Sequence, residues 1–311
     1  MFEKYKRLFV IITAFLLAGS AMGQQDPQFS QYYFNRQVIN PAYAGVWETT
    51  SFMALARNQW TGWNGAPRTY TLSLQSPLDN QKVALGLNIV GDYVGKEKRF
   101  GLWGDYVYRV RLSETTDMRM GLKAGFTSYS NNLTEYRLSP GVNDPSFQVD
   151  LNSRFLPNFG MGFFIHNEHY FLGFSIPKVI DNDLKDDEYS NFSGQAEARH
   201  FYLEGGALLK IDKDLLFKPG IMFKAVAEAP VQIDLSASFL LSEKIWLGAI
   251  YRSFDAFGVT AQWLLGTDMK LGYAYDYPVS KLGRHNFGTH EVMVAYSLKS
   301  SQRRIRKMNY F

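Results

Sequence analysis

His166 and His169 stand in an H-x-x-H spacing that would suit two imidazole ligands on one metal ion. The pair brackets a tight turn, however, and Glu168 is the only carboxylate beside it. Both therefore read as polar turn residues. His285 and His290 sit in or beside the last long connection, where water can satisfy them. The acidic run DNDLKDDE, from Asp181 to Glu188, offers oxygen ligands for calcium but lacks the glycine and final glutamate spacing of an EF-hand, so it reads as a solvated loop. The chain has no G-x-S-x-G elbow, no P-loop and no dinucleotide fingerprint. No catalytic, cofactor-binding or metal-ligating residue is assigned, and a non-enzymatic protein is expected.

The charges that interrupt otherwise apolar alternation are more telling. Arg57, Arg109, Arg111, Lys123, Lys224, Asp234 and Glu291 all fall within strand-like stretches. On a lipid-facing surface near the midplane a cation costs roughly 2–4 kcal/mol, so these residues must face inward or lie near a rim. A lumen filled by paired charges is the expected arrangement; a bound segment or an aqueous pore is the functional alternative.

The elements that must hold them are β-strands. TYTLSLQSPLDNQKVALGLNIV, from Thr69 to Val90, is two alternating runs joined by a turn at Pro77 to Asn80. Its leucines take one face, with Thr71, Ser73, Gln75, Gly86 and Asn88 on the other. Fourteen such strands are expected, near 50–58, 68–76, 82–91, 98–112, 117–129, 158–166, 168–176, 198–210, 214–226, 230–241, 244–252, 256–265, 268–277 and 288–299. Every second joint is tight, as at Leu78 to Gln81 and Ser113 to Thr116. The others include long ones at Gln59 to Pro67, Ser130 to Pro157, Pro177 to Glu197 and Pro278 to Phe287. Short turns at one end and long loops at the other, with aromatics gathered near strand ends, point to a transmembrane antiparallel β-barrel of about 14 strands, with periplasmic turns and extracellular loops. Closure leaves no unpaired edge in lipid.

Composition agrees. The 311 residues are 46% hydrophobic and 16% aromatic, with no cysteine. Without cross-links an exported chain depends on backbone pairing or a large core. Residues 1–23 read as a signal peptide: Lys4, Lys6 and Arg7, then an apolar stretch from Leu8 to Leu17, then small residues up to Gly23. Its removal takes the net charge from +4 to +2, because three cations and Glu3 leave together. So mild a balance, with export, makes nucleic acid an unexpected partner. Residues 24–49 form an N-terminal segment. In it Asp26-Pro27 starts a short helix, Asn40-Pro41 ends it, and Phe29, Tyr32, Tyr33 and Arg36 share a face. This segment is expected to plug the periplasmic mouth or to touch machinery below it. The barrel then covers 50–299 and a basic tail 300–311, which docks on a partner or anionic surface or frays in solvent.

Particular strings resemble a known family. QDPQFSQYYFNRQVINPAYAG at the mature N-terminus, ARNQWTGWNGAPRTYTLSLQSPL in the first hairpin, and YAYDYP followed by GTHEVMVAYSL near the end resemble the PorP/SprF family of type IX secretion system membrane proteins. The resemblance spans residues 25 to 298. It implies an outer-membrane barrel of a secretion and gliding machinery, working beside periplasmic lipoprotein and ring components. It also implies support for secretion or surface anchoring of a cargo protein or adhesin through that cargo's C-terminal region.

Loops 130–157 and 177–197 and the lumen mouth are the expected docking surface, since long loops on a rigid barrel are where recognition resides. The partner-binding candidates are Arg57, Gln59, Trp60 and Arg68 near the top of the first hairpin, with Asn40, Pro41, His290 and Glu291. Outer-membrane lipid is the surrounding partner. The alternative function is a transport pore for small or hydrophobic solutes.

Overall fold

The structure, a computed structural model, describes residues 28–79, 81–137, 144–184, 195–227, 229–279, 283 and 286–298. The signal peptide, the Asp26-Pro27 helix start, Lys185 to Glu188, His285 and the basic tail lie outside these residues.

The chain closes into one antiparallel barrel. Its strands are β1 Ser51–Asn58, β2 Arg68–Pro77, β3 Val83–Val94, β4 Glu97–Arg111, β5 Asp117–Asn131, β6 Leu151–His166 and β7 Tyr170–Ile176. A small pair, β8 Asn182–Asp183 with β9 Gln195–Glu197, stands off the barrel sheet. The wall continues with β10 His200–Ala207, β11 Leu209–Asp212, β12 Leu215–Val226, β13 Gln232–Leu241, β14 Ile245–Arg252, β15 Ala256–Leu265, β16 Met269–Pro278 and β17 Thr289–Ser297. Because β10 and β11 are one stave broken at Leu208, the barrel has 14 strands. Each pairs with its sequence neighbour, and β1 pairs with β17 from Ser51↔Ser297 to Asn58↔His290, which closes the ring.

The period-two pattern sorts side chains as the sequence implies. Leu72, Leu74, Leu85 and Leu87 are exposed on the outside, while Thr71, Ser73, Gln75 and Asn88 are buried inside. Soluble proteins do not carry so continuous an apolar exterior; a bilayer is the medium that suits it. No helix among the described residues is long and apolar enough to cross a membrane, and the strands do the spanning.

Three local departures have physical causes. Strand β6 begins at Leu151, seven residues earlier than the sequence suggests, and so outruns β7, whose pairing with it stops at Met161↔Ile176. Pro157 falls in this overhang, where a missing N–H removes no rung to β7. At the long-loop end, two joints are short: Gly95-Lys96, with Gly95 at φ 60°, and Ser253 to Asp255. The sorting of loops by length is therefore real but incomplete.

The third departure is the N-terminal segment. In place of one short helix ending at Asn40-Pro41 it has a single helical turn, Arg36–Ile39, followed by a 3-10 turn, Pro41–Tyr43. Asn40 ends the helical turn in an extended conformation, and its side chain accepts from the Ala42 N–H at 3.0 Å. Nor is the segment confined to the short-turn mouth. It runs the length of the lumen, from Gln28 beside Gln232 at the long-loop end to Glu48 beside Arg109 at the other, and enters β1 there. A regular helix would bond these backbone groups within itself, whereas the N–H groups of Ser30, Gln31 and Gly45 and the carbonyl of Phe29 bond to the wall.

Candidate functional site

Inside the barrel, wall and segment are joined by buried polar contacts. Arg57 donates from Nη1 to Asp276 Oδ2 and to Glu291 Oε2, each at 3.0 Å. Glu291 in turn accepts from the backbone N–H groups of Ser30 at 2.9 Å and Gln31 at 2.7 Å, and the Ser30 hydroxyl donates to Asp276. Arg252 completes this group, pairing with Asp234 at 3.2 Å and donating to the Phe29 carbonyl at 3.2 Å. Lower down, Asn35 donates to Thr71, Gln37 to Asp105, Lys123 to the carbonyls of Gln37 and Val38, and Gly45 to Gln75. Burying such charges is tolerable only when each is paired and hydrogen-bonded.

Arg36 is the hub of the middle. Its Nε donates to Glu204 at 2.9 Å. The guanidinium carbon lies 4.1 Å from the centre of the Phe171 ring, with Tyr33, Tyr43 and Phe164 also within 6 Å. Room for the backbone comes from inward glycines. A Cβ on Gly121 would run into the backbone of Pro41 and Ala42, one on Gly162 into Asn40, and one on Gly220 would lie 2.7 Å from the Tyr33 hydroxyl. The lumen wall is thus shaped to this segment.

At the long-loop end a cavity of about 80 Å³ remains between segment and wall. Phe29, Val38, Ile39, Trp103 and Tyr202 supply its apolar lining, with Lys123 and Lys178 among its polar groups. Over it folds a crown made of residues 177–184 and 195–199. Glu197 anchors the crown, accepting from Thr127 at 2.6 Å, Asn182 at 2.8 Å and Asn158 at 3.1 Å, and pairing with Lys178 at 3.1 Å. Burial pushes the Glu197 carboxyl up, but Lys178 and the three hydrogen bonds outweigh it and hold the group below its ordinary value.

At the same long-loop end, the β1–β2 loop is tied to the last loop: Thr61 N–H donates to Gly288 O and Phe287 N–H to Thr61 O, both at 2.8 Å. Gly62, at φ 95°, lies against the Phe287 ring. This places Trp63 and the 76%-exposed Phe287 together on the rim.

The eight sequence candidates divide between these two regions. Arg57, Asn40, Pro41 and Glu291 are buried in the lumen and hold the chain's own segment. Gln59, Trp60 and Arg68 lie at the rim, with Arg68 exposed on the outer face; His290 is half-buried beside Tyr273, whose hydroxyl lies 2.7 Å from Nδ1. Of the strand charges, only Arg111 is mainly exposed, near the Asp117 turn. Sequence reasoning passed over Asp276, Arg252 and Glu204. Each follows or stands between outward apolar or aromatic residues of its own strand, Asp276 between Tyr275 and Tyr277, Arg252 after Tyr251 and Glu204 after Leu203, and that inward parity is the signal that marks them. His166 ends β6 and accepts from Arg119 at 3.4 Å, while His169 is an exposed turn residue.

A family profile described as "Type IX secretion system membrane protein PorP/SprF" matches residues 21–296. No curated protein matches the sequence. Among solved structures, the chain is similar to the Acinetobacter baumannii outer membrane protein Omp33, at 8% identity and TM-score 0.45, covering 80% of this chain and 99% of that one. It is also similar to a Pseudomonas aeruginosa FadL homologue, at 11% identity and TM-score 0.49, covering 90% and 96%. The KdgM porin matches at 10% identity and TM-score 0.41, covering 80% and 99%.

Proposed function

Since the matched profile spans most of the chain, the protein belongs to the PorP/SprF family of type IX secretion system membrane proteins, and from that premise we propose that it is a docking barrel. It acts without catalysis, holding the C-terminal region of an exported protein, such as an adhesin, at the cell surface. The crown, the 132–150 loop and the aromatic rim around Trp63 and Phe287 form the docking surface. The short-turn end meets periplasmic lipoprotein or ring components of the machinery.

One observation supports this reading above the rest. Most of the inward charges are engaged by the protein's own residues 28–48, and Asp92, Arg99 and Lys178 by the wall and crown, so the lumen offers a partner little, and recognition is left to the long-loop rim. The same observation disfavours a solute pore. Exposed aromatics clustered on a rigid frame also fit the usual anatomy of a protein-binding hot spot.

The test is removal of residues 134–149 with a short turn in their place. The barrel should still assemble, seen as a heat-modifiable band on a gel, while display of the cargo on intact cells is lost. Unchanged display would overturn the assignment of docking to this loop.

A further inference from the structure

The outward face of the sheet carries a second feature, on the lipid side of the wall. At the long-loop end the register sets five outward residues in one row across β1–β5: Asn58↔Arg68, Arg68↔Tyr93, Tyr93↔Lys98 and Lys98↔Ser130. The next rows toward the other end are apolar or aromatic on β1–β4, with Tyr70 and Phe100 first, then Leu72, Ile89 and Leu102. The row is therefore the border of the lipid-facing belt.

Its two cations are exposed, and no carboxylate among the described residues is ion-paired with either. Glu135, the acid beside Lys98, is taken by Lys96 and by Asn132, and its carboxyl is held below the ordinary value chiefly by the Lys96 hydrogen bond. Asp150 accepts from the N–H and hydroxyl of Thr134. Counting the exposed Arg137, and Asp144, which caps the 145–147 turn of the same loop, four cations meet three acids here. The rest of the circumference differs: among the described residues, the outward positions of β6, β7, β10 and β12–β16 at this end carry no lysine or arginine. They carry Phe155, Phe201, Leu235, Tyr251, Phe257 and Tyr277 instead.

We propose that this face of β1–β5 docks the phosphorylated headgroup of an outer-leaflet glycolipid. Charge complementarity and continuity with the lipid belt select that occupant. A side chain here faces the headgroup layer, where phosphate is the anion within reach, and aromatic neighbours fix the depth. Two strand spacings put Arg68 and Lys98 about 10 Å apart, with the Tyr93 ring between them. That reach suits a headgroup bearing two phosphates better than a single-phosphate phospholipid. The acyl chains then lie along Tyr70, Leu72, Phe100 and Leu102.

The test uses the purified full-length protein in detergent, titrated with bisphosphorylated lipid A, with dephosphorylated lipid A and with phosphatidylglycerol, and read by native mass spectrometry. Wild-type protein should retain lipid A. The Arg68→Gln/Lys98→Gln variant should bind it five- to tenfold more weakly, and dephosphorylated lipid A should bind wild type as weakly as that. A Lys210→Gln/Lys213→Gln control at the short-turn end should match wild type. Equal retention by the Arg68/Lys98 variant, or equal retention of the dephosphorylated lipid, overturns the proposal. So does phosphatidylglycerol binding as tightly as lipid A, which would mean general attraction of anionic lipid. A variant that keeps lipid A but loses cargo display would reassign Arg68 to protein docking and overturn it too, so the lipid site and the docking function fail separately.

Discussion

Glu291 shows how one side chain is asked to do several things at once. It neutralises Arg57 and caps two backbone N–H groups of the N-terminal segment, all out of water. Glu291→Ala takes away one of the two carboxylates that Arg57 pairs with and leaves both N–H groups unbonded, for an expected loss of about 3–5 kcal/mol. Glu291→Gln keeps a side-chain oxygen for the N–H groups while Asp276 still neutralises Arg57, and should lose distinctly less. Urea-unfolding midpoints in detergent for both variants, compared with wild type, check this ordering; a Gln variant as unstable as the Ala variant would contradict it. Gly162 makes the complementary case by absence. Any larger residue competes with Asn40 for one space, so Gly162→Leu should leave the barrel folded but expel the 40–42 turn. Protease cleavage near Tyr43, absent in wild type, is the expected sign.

Among the elements, the crown depends most on a single ionised group. Because the folded Glu197 pKa is lowered, its contribution is complete at neutral pH. It is lost as pH falls from the ordinary glutamate value through the depressed folded one. Hydrogen exchange at 177–184, corrected for the intrinsic pH dependence, should therefore rise on acidification. Glu197→Gln should reproduce that rise at pH 7; an unchanged rate would remove Glu197 from the role. The strands themselves were legible in the sequence because a period of two with turn residues between is a strong local signal. Two errors came from signals that tertiary context overrides. Pro157 looked like the end of a loop, yet it sits harmlessly where β6 has no β7 neighbour. Residues 28–35 looked helical from their aromatic spacing, yet they meet partners on β2, β13, β14, β16 and β17 that lie in different directions.

For the whole molecule, closure and filling go together. A ring of 14 strands would enclose an aqueous channel if its interior were empty. Here the N-terminal segment occupies it. In planar bilayers the wild-type protein should pass little current. Deleting residues 25–44 should convert it into a conducting channel, since the inward charges would then line water. Steady conductance by wild type would favour the pore reading instead. Among the buried candidates, Arg57 and Glu291 stood out as charges in apolar company. What they hold was hidden, because Ser30 and Gln31 are some 260 residues from Glu291 in the chain.

What the sequence determined alone was the strand order, the inward and outward sets and the membrane environment. Each follows from alternation, turn chemistry and the cost of charge in lipid, all readable over ten or so neighbouring residues. The tertiary structure alone decided the path of residues 28–48 through the lumen, the inward fold of the crown over the cavity, and the row of Arg68, Tyr93 and Lys98. Those depend on register between strands and on partners distant in the chain, and a hydrogen bond between distant residues leaves no periodic trace in either stretch.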